Sequence, residues 1–126
     1  TLYQAEKDLS APQHTQWGMR LAEHWKLPLL IQSAIKDHHT RKHGLRMSMA
    51  PEINQVVDAV YIANQITHDL NVGHSGHDGK GQIDTEILEH LGIDSTQKNE
   101  LFEKIEENLE LAKNLMEVFS GNETAA

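Results

Sequence analysis

The 126-residue chain contains no cysteine. That excludes a disulfide scaffold and thiolate metal sites, and it is compatible with a reducing compartment. Aromatic residues are scarce, 5% against 38% for all hydrophobic types, so one core can form in a chain of this length but not a rich one. Basic residues are few: 11 Lys and Arg stand against 19 Asp and Glu, a net charge of −8 with no Lys/Arg stripe. Binding to nucleic acid, which needs a basic face to neutralise phosphates, is not expected. No apolar run approaches the roughly 18 residues of a membrane span, and no signal-peptide pattern opens the chain, so a cytoplasmic location is expected. Convincing strands, solenoid-period repeats, nucleophile triads and phosphate-cradling glycine loops are all missing from the pattern.

What remains is helical periodicity and histidine. Ser10-Ala11-Pro12 predicts a capped helix running to Trp25, in which His14, Gly18, Leu21 and Trp25 recur on one face. Leu27-Pro28 breaks it and starts a second helix with Ile31, Ala34, Ile35 and His38 as its inward stripe. His39 follows, about 100° round the helix. Thr40 to Ala50 reads as a polar loop, and Pro51 opens a third helix to about Leu70 with Ile53, Val57, Val60 and Asn64 on one face. A polar Asn64 at an inward position requires a hydrogen-bond partner or a ligand. Asn71 to Gln82 holds four of the eight glycines and reads as a flexible loop. A short helix from Asp84 to Leu91, stopped by Gly92, comes next. Asp94 with Gln97 forms a capping box for a last helix whose stripe is Leu101, Ile105, Leu109, Ala112, Met116 and Phe119. The expected fold is all-α, about five helices over residues 10–120, with a disordered tail at 121–126.

His14…Gly18…Leu21…Trp25-Lys26-Leu27-Pro28…Ala34-Ile35…His38-His39, continued by Val56-Val57-Asp58-Ala59-Val60-Tyr61-Ile62-Ala63-Asn64, resembles the HDOD domain family. These are bacterial signalling relatives of the HD and HD-GYP phosphohydrolases. The likeness covers about residues 10–120 and corresponds to the C-terminal half of the family's domain. It implies an HD-like helical bundle, with residues 1–9 the remnant of a missing upstream portion. It also implies a regulatory role through a signalling protein partner or a small-molecule ligand, with a homodimer as one possible assembly.

In the catalytic relatives a His before Gly, a His-His pair and a later Asp hold metal together with an upstream His-Asp. Carried over by position, His14, His38, His39 and Asn64 stand at the metal positions of this chain. Asn64 replaces an anionic ligand with a neutral one, Thr40 stands where the cyclic-di-GMP enzymes have Glu, and the upstream His-Asp is absent. The resemblance with these departures implies no catalysis and no required cofactor, with at most a residual divalent metal. The plainer reading makes the same histidines an internal hydrogen-bonded network with Asn64 and backbone. A metal-dependent phosphohydrolase acting on a cyclic dinucleotide or nucleotide is the alternative function.

Other features read as structural. Trp17 and Trp25 are expected to pack, in the core or against the missing upstream portion. His24, His43, His68 and His90 are expected in solvent, as is the Glu100, Glu103, Glu106, Glu107 and Glu110 run. His77-Asp78-Gly79-Lys80 imitates a ligand motif but sits in the glycine-rich segment, without the packed helix that metal geometry requires.

Overall fold

The computed structural model describes residues 2–70, 72 and 83–121, with side chains described through 116. Every regular element among them is helical: α1 (Leu2–Asp8), α2 (His14–His24), α3 (Leu29–Asp37), a 3-10 turn (His43–Leu45), α4 (Pro51–Asp69), α5 (Thr85–His90) and α6 (Ser95–Gly121). The all-α expectation holds, with one helix more than the periodicity announced. No helix of the described residues is long and apolar enough to cross a membrane. The glycine-rich segment apart from Val72, including the His77–Lys80 motif, and the tail at 122–126 lie outside the described residues.

The chain divides into two compact units, Thr1–Gly92 and Ile93–Ala126. In the first, α2 packs on α3, α3 on α4 and α4 on α5. Its core is small: Ala22 of α2, Val57, Ile62 and Ile66 of α4, and Ile87 and Leu88 of α5. Gly18 allows the close approach of α2 to α3, since a Cβ there would lie 2.7 Å from Cγ2 of Ile35. In the second unit the capping box forms as expected: the Asp94 N–H donates to Gln97 Oε1 at 3.0 Å, and the Gln97 N–H donates to Asp94 Oδ1 at 2.9 Å.

Both turns flanking α2 use left-handed residues that are not glycine. Ser10 (φ 50°) ends α1, with the Ala11 N–H donating to the Glu6 carbonyl. Lys26 (φ 55°) ends α2, with the Leu27 N–H donating to Ala22 and the Lys26 N–H to Glu23. This is the Schellman pattern, in which glycine is the favoured residue because a Cβ costs about 1 kcal/mol in this conformation. Lys26→Gly is therefore expected to stabilise the fold by about 1 kcal/mol, read as a higher urea midpoint at unchanged slope.

Several expected faces are rotated. α2 starts at His14, not near Pro12, with Gln13 as a cap that makes no side-chain bond. Its buried residues are Thr15 and Ala22, while Leu21, Trp17 and Trp25 are exposed. On α3, Ile31 is exposed, and Ser33 and Asp37 are buried instead. On α4 the inward face is Asn54, Val57, Asp58, Ile62 and Ile66, and Val60 points out. The stripe of α6 is half-buried at Leu101, Ile105 and Leu109 but exposed at Ala112 and Met116; Phe119 lies beyond the described side chains.

The rotation of α4 has a polar cause. Arg46, in the segment read as a solvated loop, is buried and donates inward along its whole fork. Nε reaches the Thr40 carbonyl at 2.9 Å, Nη1 reaches Asn54 Oδ1 at 3.1 Å, and Nη2 reaches Asp58 Oδ1 at 2.6 Å. A buried guanidinium needs this density of acceptors, so Asn54 and Asp58 turn in to supply them.

Candidate metal centre

His14 is the first residue of α2, and His38 and His39 follow the last turn of α3. The packing of α2 on α3 through Gly18 brings their rings together. His14 Nε2 lies 3.4 Å from His38 Nε2 and 3.2 Å from His39 Nε2. One ligand nitrogen from each of the three rings falls within 4.8 Å of the others, and all three residues are half-buried. The structure thus brings together the three histidines that the sequence singled out.

The outer nitrogens decide which protons the inner ones carry. His38 Nδ1 is 2.8 Å from the Ile35 carbonyl, which can only accept, so Nδ1 carries the hydrogen of a neutral ring and Nε2 is a bare lone pair. His14 Nδ1 is 2.8 Å from Glu6 Oε2, a carboxylate, so its Nε2 is also a lone pair when the ring is neutral. His39 can donate its Nε2–H to His14. His14 Nε2 then already accepts from His39, and no hydrogen is left to lie between it and the His38 Nε2 lone pair 3.4 Å away. A cation relieves that contact. Nitrogens bound at 2.0–2.1 Å to one tetrahedral ion sit about 3.3 Å apart, close to both spacings found here.

Glu6 was not legible as a site residue. The stretch Thr1–Leu9 carried no clear partner element in the sequence, yet α1 lies against the histidines. Glu6 Oε2 accepts from both the His14 ring and the His14 backbone N–H, the latter at 3.2 Å, capping the start of α2 that Gln13 leaves uncapped. Burial opposes ionisation of Glu6, but these hydrogen bonds outweigh it and hold its carboxyl below the usual range. Tyr3, one turn earlier, stacks on His39 with ring centres 4.5 Å apart and an interplanar angle of 22°. The i, i+3 spacing of Tyr3 and Glu6 was the available signal, but about two turns of mostly polar helix offer no periodic apolar stripe to flag it.

Burial, then the neighbouring His38 and His14, push His39 down to about 4; burial, opposed by the Ile35 carbonyl, also lowers His38. Both rings therefore keep lone pairs available at neutral pH. The effect on folding has a definite sign. The unfolded chain takes up a proton at His39 near 6.5, the ordinary value of imidazole, and the folded chain only near 4. Metal-free protein should thus lose stability as pH falls from about 6.5 to about 4. Urea melts in chelator across that window should show the loss, and His39→Gln should flatten it.

Asn64 is half-buried on α4; its backbone carbonyl accepts from Thr67 Oγ1 at 2.9 Å. One turn on, His68 is half-buried rather than solvated, and it contributes to the lowered pKa of His39. Asn64 and His68 share one face of α4 by their i, i+4 spacing. His24 is exposed as expected. His90 is exposed as expected, with Nδ1 4.0 Å from the buried Asp58 carboxylate, whereas His43 is half-buried and bonds that carboxylate. The acidic run of α6 is exposed, as expected of a solvent face. No family model, curated protein or solved structure matches the chain.

Proposed function

We propose that this chain is a regulatory domain of the HDOD type that holds one divalent transition-metal ion at His14, His38 and His39. It acts through a signalling protein partner or a small ligand, without catalysis. The observation that carries the metal reading is the 3.4 Å approach of His14 Nε2 to His38 Nε2 with no hydrogen to lie between them, both outer nitrogens being committed as donors. The outer contacts also fit a metal centre, because a carboxylate or carbonyl on the far nitrogen fixes the tautomer and orients the ring. Three imidazoles favour zinc-like ions over magnesium or calcium, which prefer oxygen. The resemblance in the Gly18, Trp25–Pro28 and His38-His39 positions supports the signalling role. Asn64 and Thr40, standing where the enzymes of the resembled families carry Asp and Glu, support the lack of turnover.

A metal-dependent phosphohydrolase is the second reading, favoured by one feature. Three protein ligands leave a tetrahedral ion a fourth position, where catalytic zinc sites keep their water. Assays of zinc- and manganese-loaded protein on cyclic-di-GMP and nucleoside phosphates separate the two. We expect no hydrolysis above that of His38→Ala; metal-dependent hydrolysis that disappears in His38→Ala would establish the enzyme.

A further inference from the structure

A second cluster lies in the same unit, on other elements. His43 of the 3-10 turn, Asp58 of α4 and His90, the last residue of α5, each bring one ligand atom within 4.8 Å of the others. Asp58 is 1% exposed. Its two oxygens have different surroundings. Oδ1 takes the 2.6 Å bond from Arg46, which fixes the carboxylate plane. Oδ2 faces the histidines, 2.9 Å from His43 Nε2 and 4.0 Å from His90 Nδ1. His43 Nε2 also lies 3.1 Å from Oδ1.

A purely structural network does not account for His90. Arg46 already neutralises Asp58, and 4.0 Å is too long for a hydrogen bond, so the His90 ring is turned to the carboxylate without bonding it. Its ring stands 4.8 Å from that of His43. Two donors on one tetrahedral ion sit about 3.3 Å apart, and the 2.9 and 4.0 Å spacings lie either side of that value. Shifts of less than about an ångström in two part-exposed rings would seat an ion, displacing the Nε2 proton that His43 donates to Asp58 in the free state. The cluster opens on a cavity of about 580 Å³ that Glu52 and Gln55 also line, which admits the ion and completes its shell with water.

We infer that His43, Asp58 and His90 form a second site, for a divalent transition-metal ion, independent of the first. Two imidazoles and one carboxylate select a borderline ion such as Zn²⁺ over calcium or magnesium. Occupied, the site clamps the C-terminus of α5 and the 3-10 turn onto α4.

The test uses the full chain with His38→Ala, which disables the first cluster, and Zn²⁺ as the probe. Calorimetric titration should find one remaining equivalent, and saturating zinc should raise the melting temperature by mass action. Adding His90→Gln, or separately His43→Gln, should abolish both effects; adding His24→Gln at the exposed end of α2 should leave them intact. Both glutamine variants alter part-exposed side chains, so their folding is checked by circular dichroism without metal. Absence of zinc binding in His38→Ala overturns the inference. So does binding that survives both His43→Gln and His90→Gln.

Discussion

Asp58→Ala should destabilise the protein by about 3–5 kcal/mol, the range for leaving one member of a buried ion pair without its partner. Arg46 is the reason. Its side chain is 1% exposed, and among the described residues the Asp58 carboxylate is the only charged acceptor its fork bonds, the others being the Thr40 and Asn54 oxygens. Removing the carboxylate strands a guanidinium that cannot deprotonate, in a site that water does not reach. A loss of that size is a large part of the roughly 5–15 kcal/mol that holds a small domain folded. Arg46→Met with Asp58→Leu should recover most of it, since an apolar pair of similar volume removes both charges together. Urea melts of the two variants in chelator check this. A cost below about 1 kcal/mol for Asp58→Ala would mean that Arg46 finds another partner or turns outward.

Glu6→Gln should weaken zinc binding at the first cluster about 10- to 100-fold while leaving its stoichiometry unchanged, the usual effect of losing a carboxylate behind a ligating histidine. Glu6 does two things through one oxygen: it fixes the His14 tautomer and caps α2 where His14 begins it. Glutamine can accept through its amide oxygen but carries no charge, so the ring nitrogen facing the ion becomes less basic. Competition titration against a chromophoric chelator gives the affinity. Unchanged affinity would show that Glu6 serves the helix and not the ion.

The contrast between Glu6 and the histidines shows where sequence reasoning reached and where it stopped. His14, His38 and His39 were legible because their partners lie one helix away and the Gly18 and Pro28 signals set the geometry of that pair. The Asp94–Gln97 box and the Pro51 start were legible because capping is local. The inward turn of Asn54 and Asp58 was not, because its cause is an arginine in a segment whose polarity reads as solvation. His43 was misplaced for the same reason: its partner, Asp58, is hidden by that rotation. Tyr3 and Glu6 act from a helix of seven residues, too short for a periodicity to stand out. The exposure of Trp17 and Trp25 has no signal in a sequence where aromatic residues at helical spacing normally mark a core.

The measurement that tests the account most directly is zinc stoichiometry, by plasma mass spectrometry after dialysis, in a His43→Gln/His90→Gln background that leaves the first cluster alone. One ion per chain, lost on adding His14→Ala or His38→Ala, is the result predicted by two unprotonated ring nitrogens 3.4 Å apart. No bound zinc in that background, or zinc retained after both alanine substitutions, would contradict it and make the three rings a proton-sharing structural network.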